Sequence, residues 1–337
     1  VSARVDKQIT PKYELGSSYN SKFNLASEDR WTYPRNSTPG KRNLAPVFGL
    51  VSGEGDDRYA QRYGQMIVGF DTISQVPSGL HYSQYKIKSA TVKTIVALDE
   101  QFLYDGTPDD YSKYNGVDDT VSPVELFGTG FRNGFDSSTW NETSPMAAPD
   151  GDRSNNAYSL GLSDGQAIDV DLYRFGSPHN ASAFAIGQID GLEQGELVPE
   201  DSELEFSINV DDSGIQRYIA ESLSKGKLFF TLSQILYAKT DNGGKGYPDL
   251  YTKDHILGES PTLNLEFEIV PAKLDPAVLT ISRNNNGGVT VGWSGNGDLF
   301  SSEKLGDGVS WQKVGATGNS HDLDPASPAR YFKVIEN

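Results

Sequence analysis

The stretch GQMIVGFDTISQVPSGLHYSQYKIKSATVKTIVALDE, Gly64 to Glu100, decides the fold. QMIVGFD is a nearly continuous apolar run of strand length, as expected for a strand in the core of a sandwich. VPSG, residues 76–79, reads as a turn, because proline fixes φ and glycine admits positive φ. After it, YKIKSATVKTIVALD alternates. Ile87, Ala90, Val92, Ile95 and Ala97 interleave with Lys86, Lys88, Thr91 and Lys93, the pattern of a half-buried strand. The alternation slips once, at Ser89–Ala90, which predicts a β-bulge. No catalytic side chain stands out in the stretch.

Working outward, AIDVDLYRF, SAFAIGQI, LFFTLSQIL and PTLNLEFEIV also read as strands, while residues 101–165 read as loop-rich. One helix is expected, over DDSGIQRYIAESLSKGK. Ile215, Tyr218, Ile219 and Leu223 recur at helical spacing, Asp212 or Ser213 caps the start, and Gly226 ends it. Pro271 to Pro276 read as a linker, and short, evenly spaced strand patterns follow. The opening residues VSARVDKQIT alternate Val1, Ala3 and Val5 against Ser2, Arg4 and Asp6, a short strand pattern. The expected organisation is an extended N-terminal arm with a short strand (1–50), a β-sandwich (51–271) and a small β-domain (272–337).

Composition agrees with an all-β class. The 337 residues include 35 glycines, 17 prolines and 17 tyrosines but only 2 methionines, a mixture that favours strands and turns. The absence of cysteine excludes disulfide scaffolds, thiolate metal sites and cysteine catalysis. No run reaches the eighteen apolar residues of a membrane span. A start at Val1 with no leader is the expectation for a chain whose signal peptide has been removed, which places it outside the cell or on its surface. The net charge of −17 is uneven. Residues 1–50 carry eight basic and four acidic residues, and residues 51–271 carry fifteen and thirty-five. So acidic a body repels nucleic acid and anionic lipid, whereas the basic arm complements it.

The order VGFDTISQVPSG…IKSATVKTIV, then FSINVDDSGIQRYIAESLSKGKLFFTL, then SPTLNLEFEI is similar to the DNRLRE-type jelly-roll modules of secreted bacterial and archaeal proteins. Phe70, Asp71, Pro77, Ser89, Ala90, Gly226, Pro261 and Leu263 match that pattern. The name-giving hexapeptide is absent, and residues 101–200 are longer than usual. Over about residues 40–270 the resemblance implies a jelly-roll-like β-sandwich with one short helix, usually non-catalytic, in surface-attached proteins and some carbohydrate-binding modules. The tail, GGVTVGWSGNGDLFSSEKLGDGVSWQKV…ARYFKV, resembles small Ig/fibronectin-III-like β-sandwich domains, which implies a core of Trp293, Trp311 and Phe332.

Candidate chemistry is sparse. GLSDG, residues 161–165, fits the nucleophile-elbow pattern, but the next residues read as strand where the elbow needs a helix, so Ser163 is not expected to be a nucleophile. The four histidines lie far apart in sequence without metal-ligand spacing. Calcium is the one metal that the acidic loops suit. Asp109, Asp110, Asp118 and Asp119, in DGTPDDYSKYNGVDD, are the candidate ligands, although the EF-hand spacing is absent and solvated acidic loops look the same. Trp31, Tyr33, Tyr111, Tyr114 and Trp140 fall in stretches read as loops and are the candidate sugar-stacking residues.

The reading is a secreted, non-enzymatic structural subunit of a fibre, surface layer or matrix, partnered by copies of itself. Val1, Ala3, Arg4, Val5, Lys7 and Ile9 are its candidate assembly residues, since an alternating strand can pair with a sheet edge. The alternative is a carbohydrate-binding module or adhesin with a polysaccharide partner. Neither needs a cofactor beyond structural calcium.

Overall fold

The computed structural model describes residues 13–33, 42–49, 63–108, 122–146, 155–173, 181–235, 246–256, 260–273, 278–284, 287–294, 297–306, 309–315, 319–323 and 330–335. The chain divides into two compact units, Val1–Pro271 and Ala272–Asn337.

The first unit is a β-sandwich. A four-stranded antiparallel sheet has the order β1 (Ser18–Phe23), β13 (Thr262–Ile269), β5 (Tyr85–Ile95), β10 (Glu203–Ser207). The larger sheet runs β2 (Glu28–Thr32), β4 (Gln65–Asp71), β11 (Lys227–Ser233), β6 (Glu125–Phe131), β7 (Ala157–Ser163), β8 (Gln166–Asp169), and β9 (Ala185–Ile186) also pairs with β6. β3 (Leu44–Pro46) and β12 (Asp249–Tyr251) form a separate pair. Alternation aims Ile87, Ala90, Val92, Leu263, Leu265 and Phe267 of one sheet at Met66, Val68, Phe70, Leu228, Phe230 and Leu232 of the other, in one buried cluster. Burial of each of these side chains larger than alanine contributes about 1.5–3 kcal/mol. The expected bulge is present. β5 pairs Ser89 with Glu266 and Ile87 with Phe267, leaving Lys88 as the extra residue, and Lys88 and Ser89 are exposed in succession.

The second face of the larger sheet is partly polar. Gln65 Nε2 donates to Ser159 Oγ and to Asp171 Oδ1, both at 2.6 Å, and the Thr129 and Thr231 hydroxyls meet at 2.9 Å. Beside this layer Trp140 packs edge-on against Phe229, 5.5 Å between ring centres, with Phe131, Ile67 and Met146 around them.

Helix α1 (Ser213–Lys225) has the expected ends. Asp212 Oδ1 accepts from Gly214 N at 2.8 Å and Ile215 N at 3.1 Å, and Gly226 closes it at φ 84°. Its buried face is Ile215, Ile219, Ala220 and Leu223. Tyr218 reaches the strands: its hydroxyl accepts from Thr129 N at 2.8 Å and donates to Phe229 O at 2.6 Å. That joins β6 to β11 just beyond their last paired residues, Gly128 and Phe230.

Two stretches differ from the sequence reading. Residues 18–46, assigned to an extended arm, contribute β1, β2 and β3 to the sandwich unit. Residues 101–165, read as loop-rich, contain β6 and β7. The glycines in ELFGTGF obscured β6. A Cβ on Gly128 would stand 2.9 Å from the Phe184 ring, and one on Gly130 would stand 2.2 Å from the Tyr158 ring.

The second unit contains two three-stranded sheets. One has the order β14 (Leu279–Arg283), β15 (Val289–Trp293), β18 (Ser320–Leu323); the other has β17 (Gln312–Lys313), β16 (Asp298–Ser302), β19 (Tyr331–Ile335). Val291, Trp293 and Leu299 are its buried centre, with Phe332 and Val334 against them. Trp311, expected in this core, is not among these residues and is only half-buried.

Candidate functional site

Among the described residues, a cluster of charged side chains lies at the outer edge of β2. Its residues are largely buried although the strand is at the edge of its sheet, because the turns around Asn141–Met146 and Thr252–His255 lie against it. The first of these is shaped locally. Asp136 Oδ1 accepts from Ser138 N and Thr139 N, both at 2.9 Å, and Asn141 Oδ1 accepts from Thr143 N at 2.9 Å. These are successive side-chain-mimicked turns, and they seat Trp140 in the interior while leaving Glu142 facing β2.

There Glu142 N donates to Glu28 Oε2 at 2.9 Å, and Asp29 N donates to Glu142 Oε2 at 3.4 Å. Lys253 contributes twice: its backbone N–H donates to Asp29 Oδ2, and its ammonium lies 2.9 Å from Glu142 Oε2 and 3.2 Å from Asp254 Oδ2. Lys227 Nζ donates to Glu28 Oε1 at 2.6 Å, and Arg30 donates to Ser144 O. Asp29 is fully buried, and its Oδ1 has no hydrogen-bond partner among the described residues. Burial, reinforced by Asp254 and Glu142, pushes its carboxyl up to about 7, against the lowering effects of the Lys253 N–H and ammonium. Burial opposes the charge of Lys253, but Glu142 and Asp254 raise its pKa above the usual value; burial lowers that of Arg30.

A raised carboxyl pKa accompanies acid–base catalysis in many enzymes. Asp29, however, has no exposed surface through which a substrate could reach it. Asp29, Glu142 and Asp254 each offer a carboxylate oxygen within 4.8 Å of the others, a spacing that a cation could bridge. The Lys253 ammonium already sits against two of the three, so the cluster is balanced from within. Chemically it ties three distant segments together.

The second feature is the edge of the four-stranded sheet. β1 pairs on one side with β13. At Lys22 the outward backbone is engaged by a side chain: Gln75 Oε1 accepts from Lys22 N at 3.1 Å, and Gln75 Nε2 donates to Lys22 O at 2.9 Å. Outward groups recur every second residue, so Ser18 and Asn20 also face away from β13. Among the described residues nothing pairs with their outward groups, and both are exposed.

The structure relocates the expected sugar-stacking residues. Trp31 is in β2, not a loop, and is buried. Its Nε1 donates to Pro46 O at 2.7 Å, and the Arg42 guanidinium lies 4.4 Å from its ring centre. Tyr33 is half-buried against it, with 5.2 Å between ring centres. Trp140 is 1% exposed. These three rings therefore belong to the packed interior; the sequence showed polar neighbours but not the segments that cover them. Tyr111 and Tyr114 lie outside the described residues, as do the calcium candidates Asp109, Asp110, Asp118 and Asp119 and the arm residues Val1, Ala3, Arg4, Val5, Lys7 and Ile9. Ser163 ends β7, and Asp164 and Gly165, at φ 49° and 73°, turn the chain into β8. This is a hairpin, not the strand–turn–helix of a nucleophile elbow.

No protein-family model matches the chain, and no curated protein matches it.

Proposed function

We propose that the chain is a non-enzymatic extracellular structural protein whose copies assemble by strand addition, the first ten residues of one copy pairing with the β1 edge of another. The open edge at Ser18 and Asn20 is the observation that carries this reading. Two outward residues offer four backbone hydrogen-bonding groups, and at about 0.5–1.5 kcal/mol each these would contribute roughly 2–6 kcal/mol. Val1, Val5 and Ile9, alternating on the arriving strand, would add about 1.5–3 kcal/mol each before ordering costs. Gln75 closes the edge at Lys22 and would set the register by stopping the incoming strand there. The net positive charge of residues 1–50 and the acidic body favour encounter between copies. The likeness to jelly-roll modules of surface proteins points the same way.

The test is particle mass and shape, by light scattering and electron microscopy, for the intact chain and for one lacking residues 1–10. Polymers that vanish on truncation are expected. A monodisperse monomer in both preparations would overturn the proposal.

A further inference from the structure

The sheet β17–β16–β19 turns one face to the core of its unit through Leu299, Phe332, Val334 and Val314. Alternation puts Asp298, Phe300 and Ser302 of β16 on the other face, with Tyr331, Lys333 and Ile335 of β19 opposite them. Two contacts place β17 and the residue before it on that same face. The Lys313 ammonium pairs with Asp298, and Lys333 Nζ lies 4.5 Å from the centre of the Trp311 ring. The cation–π contact holds the indole across the sheet while leaving it partly exposed. Tyr331 is 44% exposed and Ile335 41%. This is an aromatic surface facing away from the core of its own unit.

At the end of this sheet a cleft of about 500 Å³ opens, lined among the described residues by Ser301, Ser302, Ser310, Gln312, Lys304 and Arg330, with Glu303 and Val309 beside them. Ser302 connects cleft and face, since it lines the first and is paired with Tyr331 on the second. The Arg330 guanidinium donates to Ser301 Oγ at 3.5 Å, the far limit of a hydrogen bond. Among the described residues of face and cleft, four are basic (Lys304, Lys313, Arg330, Lys333) and two acidic (Asp298, Glu303), within a chain of net charge −17.

We propose that this cleft and face together bind an acidic oligosaccharide, one that carries uronic-acid carboxylates. Each part of such a ligand has a counterpart. The flat C–H face of a pyranose ring stacks on Trp311 or Tyr331, its hydroxyls meet the serines and the Gln312 amide, and its carboxylate meets the Arg330 and Lys304 cations. The cleft volume is in the range of about 300–1,000 Å³ typical of small-ligand sites. An acidic protein surface would use the cations but would bring an apolar interface core to a cleft lined mainly by polar groups. The site belongs to the second unit and the β1 edge to the first, and the proposed ligand does not depend on how copies assemble.

The experiment uses the full chain and a galacturonic acid hexamer as probe, with a neutral glucose hexamer beside it, and reads tryptophan emission and binding by calorimetry. Trp31, Trp140 and Trp293 are buried, so an emission change reports Trp311. The acidic hexamer should bind and change the emission, and the neutral one should bind at least tenfold more weakly. Trp311→Ala should abolish the emission change, and the exposed-site variant Arg330→Gln should weaken binding of the acidic hexamer at least tenfold with an unchanged circular dichroism spectrum. No binding of the acidic hexamer, equal binding of both hexamers, or Arg330→Gln behaving as the parent would overturn the proposal. Trp311-dependent association between copies without hexamer binding would overturn it too, by assigning the face to a protein partner.

Discussion

Asp29→Asn should make the protein more stable at neutral pH, and increasingly so as pH rises. The folded state holds the Asp29 carboxyl at about 7, against an ordinary 3.8. Between these values the folded state binds more protons than the unfolded one, so stability falls as pH rises through this window. A shift of about three units corresponds to on the order of 4 kcal/mol at 1.36 kcal/mol per unit. Asparagine keeps an oxygen for the Lys253 N–H and cannot ionise. The two proteins should therefore be about equally stable near pH 4, with the variant ahead by a few kcal/mol at pH 8. Urea unfolding at unit steps from pH 4 to pH 8, followed by tryptophan emission, measures the difference, and subtraction cancels the titrating groups that do not interact with Asp29. A difference that does not change with pH, or a variant less stable than its parent at pH 8, would refute the argument that burial dominates the Lys253 charge.

Three further outcomes follow from the packing. Tyr218→Phe leaves the Thr129 N–H and the Phe229 carbonyl without the hydroxyl that joins them, and should cost about 1–3 kcal/mol, measured by the same unfolding at pH 7. Gly69→Ala places a Cβ 2.3 Å from the Phe229 ring on the neighbouring strand; it should destabilise by about 1–3 kcal/mol through overpacking, whereas Gly79→Ala, with open space around it but φ 79°, acts only through backbone strain. Asp136→Ala should cost about 1 kcal/mol, as for loss of a capping side chain. Hydrogen bonds from Ser138 and Thr139 lower its pKa to about 2, so this contribution is present above pH 4 and disappears as pH falls toward 2.

The legible parts of the fold were those whose pattern is local. The Ser89 slip announced the bulge, and Asp212 and Gly226 announced the ends of α1, because a strand face and a helix cap are set within a few residues. β6 was hidden because its glycines answer to Phe184, Tyr158 and Tyr218, which arrive from elsewhere in the chain. Trp31 and Trp140 were misplaced for a related reason. Their neighbours are polar, but the interlock that covers β2 ties Glu28 and Asp29 to Glu142 and Lys253, residues far away in the sequence. Trp311 shows the converse. The resemblance to small fibronectin-III-like domains implied a core position for it, whereas the register of a three-stranded sheet turns it outward beside Lys333.

Cross-linking tests the central claim most directly, and the absence of cysteine makes it clean. In a chain carrying Val5→Cys together with Asn20→Cys, strand addition between copies predicts a ladder of disulfide-linked oligomers on non-reducing electrophoresis, lost when either cysteine is omitted. A single band at the monomer mass, whether free or closed by an internal disulfide, would contradict assembly through this edge.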